Sequence, residues 1–208
     1  MIMQRLRAET RAWHNTLEAT PFNLELLSRT LPLSCYVGQL RAYRIILGAL
    51  ETGLAGCDDP TVTAVWRSDL AKVPLLEQDL EFFDAVSDDV TAVAVAAQFA
   101  ALISDRITAA PAAALGFLYV MEGSTMGGLE LTAHVRATFG LVDGRGLAYY
   151  NSGDRQRWAA FAARMNDVVI DAPVQQAVLG AADTGYRAIA DTLAALSRPD
   201  REESMPGE

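Results

Sequence analysis

Only two histidines occur in the chain, His14 and His134, and that scarcity decides much of the chemistry open to it. A zinc centre built on three imidazoles cannot be assembled. A di-iron bundle with two Glu-x-x-His motifs is also excluded, because neither histidine follows a glutamate by three residues. What remains is a site that uses one imidazole. His14 lies in LRAETRAWHNTLE, Leu6 to Glu18, with Arg7 and Arg11 before it and Glu18 one turn after it. At about 100° per residue these four share one side of a helix. Leu6, Thr10, Trp13 and Leu17 recur at the spacing of a face that packs inward, with His14 at its border.

An imidazole beside two guanidinium groups is what heme requires: a neutral nitrogen for iron and cations for two propionates. Glu18 could take the other ring N–H and fix the tautomer. An amphipathic surface helix with a half-buried His14 explains this segment equally well. The second chemically suggestive stretch is GFLYVMEGSTMGGLEL, Gly116 to Leu131. Gly123, Gly127 and Gly128 stand inside a helical pattern at a cost of about 1 kcal/mol each relative to alanine. A flat macrocycle lying on the helix would require such glycines, since no Cβ is tolerated over the ring. A Gly-x-x-x-Gly helix contact, or a turn at Gly123–Ser124, would require them too. No Gly-Lys-[Ser/Thr] follows, so this is not a phosphate loop. His134 lies about 10 Å along the axis from Gly127, too far to ligate the same iron, and reads as packing or surface.

The elements that must position these residues are helical. Leucine, alanine, arginine and glutamate abound, and strand-like alternation is rare. Helices are expected over Gln4–Ala19, Asn23–Arg29, Ser34–Glu51 with Ser34 as cap, Thr61–Lys72, Leu75–Val86, Thr91–Ala109 as a buried central helix, Ala112–Phe139, Asp154–Val169 and Pro173–Leu196. A loop with Gly140, Gly144 and Gly146 leads to Tyr149 and Tyr150. The stretch 198–208 is charged, contains two prolines, and is expected to be a disordered tail after a single domain over 1–197.

The chain has 208 residues, 51% of them hydrophobic, and a net charge of −9. This fits one core with room for a ligand and argues against a nucleic-acid face. The absence of an unbroken apolar run of about 18 residues predicts no membrane span. The N-terminal residues lack a signal-peptide pattern, so a cytoplasmic location is expected. Cys35 and Cys57 read as ordinary reduced thiols.

Taken together, LRAETRAWHNTLE and GSTMGG resemble the proximal-helix and glycine-rich distal-helix signatures of the heme oxygenase family, particularly bacterial biliverdin-producing members associated with phytochromes. LEQDLEFF, Leu76 to Phe83, and RMND, Arg164 to Asp167, resemble two further family segments, in family order and spacing. The resemblance implies an all-α, single-domain helical bundle with heme between a proximal and a glycine-bent distal helix. It implies cleavage of heme with O₂ to biliverdin, carbon monoxide and ferrous iron. In that reading His14 ligates iron and Arg7 and Arg11 meet propionates. Gly127 and Gly128 approach the heme face, Tyr119 and Arg157 add heme contacts, and Gly123 and Ser124 form the catalytic distal position. No flavin or nicotinamide fingerprint is present, so electrons would come from a separate reductase or ferredoxin. A bacteriophytochrome would be a fitting acceptor of biliverdin.

Two departures stand out. Many family members carry an aspartate at the position of Ser124. Some place a lysine and an arginine where this chain has Trp158 and Ala162; Arg155, Arg157, Tyr149 or Tyr150 would have to substitute. A non-enzymatic heme carrier or sensor with the same fold is the alternative function. A thiamin-degrading relative with a cysteine nucleophile ranks below it, because Cys35 has no histidine near it in sequence and Cys57 falls in an expected loop. A purely structural bundle leaves the interior glycines unexplained.

Overall fold

A computed structural model describes residues 1–86 and 90–197. The tail expected at 198–208 lies outside the described residues. Ten α-helices follow one another: α1 Ile2–Glu9, α2 Arg11–Glu18, α3 Pro21–Ser28, α4 Leu33–Ala55, α5 Pro60–Val65, α6 Val73–Phe82, α7 Val90–Ala109, α8 Leu115–Phe139, α9 Arg155–Val168 and α10 Ala172–Leu196. No strand occurs among the described residues.

Helix starts follow local chemistry. Thr20, Asp59, Asp154 and Asp171 each accept a backbone N–H from the first turn they precede, and Pro21, Pro60 and Pro173 lie at the first or second helical position, where no N–H is missed. Ser34 is not a cap. Helix α4 begins at Leu33 after Pro32, whose extended backbone turns the chain in. The expected helix Thr61–Lys72 ends at Val65, because Trp66 and Arg67 are extended. The β-branched Thr61, Val62, Thr63 and Val65 resist helix least when the run is short.

The expected first helix is two helices. Thr10 leaves helical geometry at φ −97°, ψ 3°, and its hydroxyl donates to the Leu6 carbonyl at 2.7 Å. Such back-bonding competes with the helical ladder and bends the chain.

In the core, α4 packs on α7, α6 and α10, and α8 packs on α10. Helices α1 and α2 also lie on α10. Helix α7 is not the buried central helix that its alanines imply. Ala92, Ala96, Phe99 and Ile103 are buried, whereas Ala94, Ala97, Ala101 and Leu102 face outward. Among the described residues, Thr91–Ala109 is long and apolar enough to cross a bilayer; its inward stripe is spent on α4 and α10.

Candidate functional site

Helix α2 is moored to α10 by Trp13. The indole N–H donates to Asp183 at 2.6 Å, and the Arg187 guanidinium lies over the ring, 5.3 Å from its centroid. That mooring points the opposite side of α2 away from the core. Arg11, His14 and Glu18 are all exposed, as is Arg7 one helix earlier. The His14 side chain is 59% exposed rather than half-buried, with Nδ1 3.4 Å from Glu18 Oε1. A carboxylate beside Nδ1 leaves Nε2 as the nitrogen able to ligate. Among the described residues, α2 carries no buried residue at all.

Helix α8 runs unbroken from Leu115 to Phe139, through all its glycines. Tyr119, Gly123 and Gly127 are spaced by four and share one face. Thr10, Tyr186 and Arg7 all lie close enough to the Tyr119 hydroxyl to act on it electrostatically. This face of α8 therefore looks toward the α1–α2 junction. Burial raises the Tyr119 pKa and pushes that of Tyr186 up to about 12.

The glycines divide by role. A Cβ on Gly127 would meet nothing within 4 Å, and one on Gly123 would touch only the Trp158 ring, at 3.7 Å. A Cβ on Gly128 would lie 3.5 Å from the Tyr150 carbonyl oxygen. Gly128 thus faces the loop after α8, whereas the sequence placed it against the macrocycle. Gly116, not singled out from sequence, is where α8 meets α10; its Cβ would stand 2.1 Å from the Val178 carbonyl oxygen.

Ser124 Oγ lies 2.7 Å from the Met121 carbonyl oxygen and 3.1 Å from the Tyr149 hydroxyl. Tyr150 donates to Gln39 at 2.7 Å. Both tyrosines are buried and occupied here, so neither replaces the missing basic residues at Trp158 and Ala162. Arg157 is also committed elsewhere: its Nε donates to Glu122 at 2.8 Å, with the side chain 17% exposed. On the other side of Glu122 stands Lys72, with Nζ at 2.8 Å. These two side chains are 2% and 1% exposed. Burial lowers the Lys72 pKa, and the Glu122 carboxylate opposes that shift. Sequence reasoning missed this cluster. The available signal was composition, since Lys72 is the only lysine in the chain. His134 is half-buried on α8, with a buried Nδ1 that makes no hydrogen bond.

No three His, Cys, Asp or Glu side chains gather as a metal site among the described residues. A metal at His14 would need its remaining donors from a ligand. The open glycine face of α8, the outward imidazole of α2 and the exposed Arg7 and Arg11 fit a flat, anionic, metal-carrying macrocycle.

A family model described as heme oxygenase matches residues 1–194. No match was found among curated proteins. Several solved structures share the fold. Heme oxygenase-1 of the cyanobacterium Synechocystis, in complex with heme, superposes with a TM-score of 0.84 at 20% identity, over 94% of this chain and 92% of that one. Heme oxygenase-2 of Synechocystis, in complex with heme and NO, gives a TM-score of 0.85 at 18% identity, over 94% and 84%. Heme oxygenase of Leptospira interrogans gives 0.80 at 17% identity, over 93% and 98%.

Proposed function

The chain belongs to the heme oxygenase family, whose reaction is the oxidative cleavage of heme, and we propose that it performs this reaction in the cleft between α2 and α8, with His14 as the only protein ligand to iron. The observation that carries the placement is the pairing of an outward imidazole on a helix without buried residues with a glycine face that opens onto empty space at Gly127.

Heme supplies the redox iron and is itself the substrate, consumed with O₂ to biliverdin, carbon monoxide and ferrous iron. The protein's part is orientation and proton handling. Glu18, against Nδ1, holds the His14 ring with Nε2 outward. Arg7 and Arg11 offer guanidinium groups to the propionates; these contacts are charge-assisted and stronger than neutral ones. Gly123 and Gly127 let the helix backbone approach the ring plane. Ser124 stands where many relatives carry an aspartate and holds solvent beside the reacting edge. A separate reductase or ferredoxin delivers the electrons, and a bacteriophytochrome is a fitting acceptor of the product. Cys35 and Cys57 form no disulfide with each other, which accords with a cytoplasmic setting.

The test is His14→Ala. Hemin added to the full-length parent should give an iron–histidine band in the resonance Raman spectrum of the ferrous form. The variant should lose the band and most turnover, and added imidazole should restore part of both. An unchanged band in the variant overturns the assignment.

A further inference from the structure

Ser124 Oγ contacts two oxygens, the Met121 carbonyl at 2.7 Å and the Tyr149 hydroxyl at 3.1 Å. A serine hydroxyl has one proton and two lone pairs. The Met121 carbonyl can only accept, so the serine proton points to it. The proton between Ser124 and Tyr149 must then belong to the phenol. We infer that Tyr149 is a positioning residue for the reaction on the α8 face: it donates to Ser124 and leaves that oxygen one open lone pair, so that Ser124 acts toward the site as an acceptor and not as a donor. This rests on the reading that heme lies against α8.

The tyrosine is itself held in place. Asp79 accepts the backbone N–H of Ala148 on one carboxylate oxygen and that of Tyr149 on the other, each at 2.8 Å. Asp79 is fully buried and comes from LEQDLEFF, one of the segments that carry the family resemblance. The Tyr149 ring meets Tyr43 and Tyr150 edge-on, with centroids 5.7 Å and 5.9 Å away. The titratable groups facing its hydroxyl are Tyr43, Tyr150 and Glu122. Burial holds all three phenols above their ordinary pKa, and Glu122 is paired with Lys72 and Arg157. Tyr149 therefore keeps its proton and remains a donor. A solvent molecule at Ser124 must donate to it, as it would to an aspartate. Serine reproduces the carboxylate's acceptor role without its charge.

The experiment is a double-mutant cycle on the full chain reconstituted with hemin. Tyr149→Phe keeps the ring and removes the donor; Ser124→Ala removes the acceptor. The readout is the pH midpoint of the ferric heme spectrum, which follows the proton on solvent in the distal cavity. Loss of the acceptor disfavours protonated solvent. A serine that no longer accepts from the phenol donates less strongly to the Met121 carbonyl, because linked hydrogen bonds reinforce one another, and can turn its proton inward to favour the deprotonated form. Each single variant should lower the midpoint by roughly 0.4–1 pH unit, the size of one net hydrogen bond. In the Ser124→Ala background, Tyr149→Phe should add nothing, because it acts through Ser124. A Tyr149→Phe midpoint equal to the parent's, or a shift that persists without Ser124, overturns the inference while leaving the heme site standing. A parent that binds hemin with no involvement of α8, seen as normal binding by Gly127→Leu, overturns both.

Discussion

Replacing Gly127 should make the protein more stable and less able to bind heme. The position is exposed in the middle of α8, and a Cβ there meets nothing within 4 Å. Gly127→Ala thus adds no clash and removes the backbone-entropy cost of a helical glycine, about 1 kcal/mol. For a chain of 208 residues, that gain corresponds to a rise of roughly 2–4 °C in the unfolding midpoint. Gly116→Ala is the internal control. Its Cβ would stand 2.1 Å from the Val178 carbonyl oxygen, so the same substitution in the same helix should destabilise by about 1–3 kcal/mol or more through overpacking. Thermal unfolding without heme, followed by far-UV circular dichroism, measures both. Hemin titration by absorbance then tests the site: Gly127→Leu should lose binding while keeping its helical spectrum. A Gly127→Ala protein less stable than the parent would refute the packing argument. A Gly127→Leu protein that binds hemin like the parent would refute the placement of the macrocycle.

Two further outcomes test the surroundings of the site. Lys72→Met leaves the Glu122 carboxylate buried with one of its two cations, and should cost about 3–5 kcal/mol in chemical unfolding; an unfolding midpoint unmoved from the parent's would show that Arg157 alone suffices. Asp154 caps α9, and its hydrogen bond to the Arg157 backbone holds its carboxyl pKa below the ordinary value. A depressed carboxyl stabilises the fold above its unfolded pKa, and that contribution is lost as pH falls through the folded one. Asp154→Ala should therefore lower the thermal midpoint at neutral pH, with the difference from the parent shrinking below about pH 4. A constant difference across that range would refute the cap assignment.

Much of this protein is written locally in its sequence. Caps at Thr20, Asp59, Asp154 and Asp171 are short-range chemistry, and the helices they open begin within a few residues of where the pattern places them. The inward set Leu6, Thr10, Trp13 and Leu17, and the shared side of Arg11, His14 and Glu18, follow from helical periodicity, which acts over one or two turns; Arg7 lies across the break at Thr10. Their spacing together with GSTMGG also carried the family resemblance, which the family match over residues 1–194 bears out. Tertiary structure decided the rest, because it depends on partners distant in the chain. Thr10 is a helical residue by pattern; the Tyr119 and Tyr186 hydroxyls close enough to interact with it electrostatically come from more than a hundred positions away. His14 is outward because Trp13 is tied to Asp183, a bond no local rule contains. Gly127 and Gly128 are adjacent and chemically identical, yet one faces open space and the other a tyrosine loop, since successive helical residues point about 100° apart. Arg157 looked free for a propionate until folding placed it beside Glu122. Nothing local in LEQDLEFF separates Asp79 from the exposed Glu77 and Glu81; folding buried it under two backbone amides. A buried charge or hydroxyl takes whatever partner the fold brings within reach, and that partner is set by the packing of whole helices.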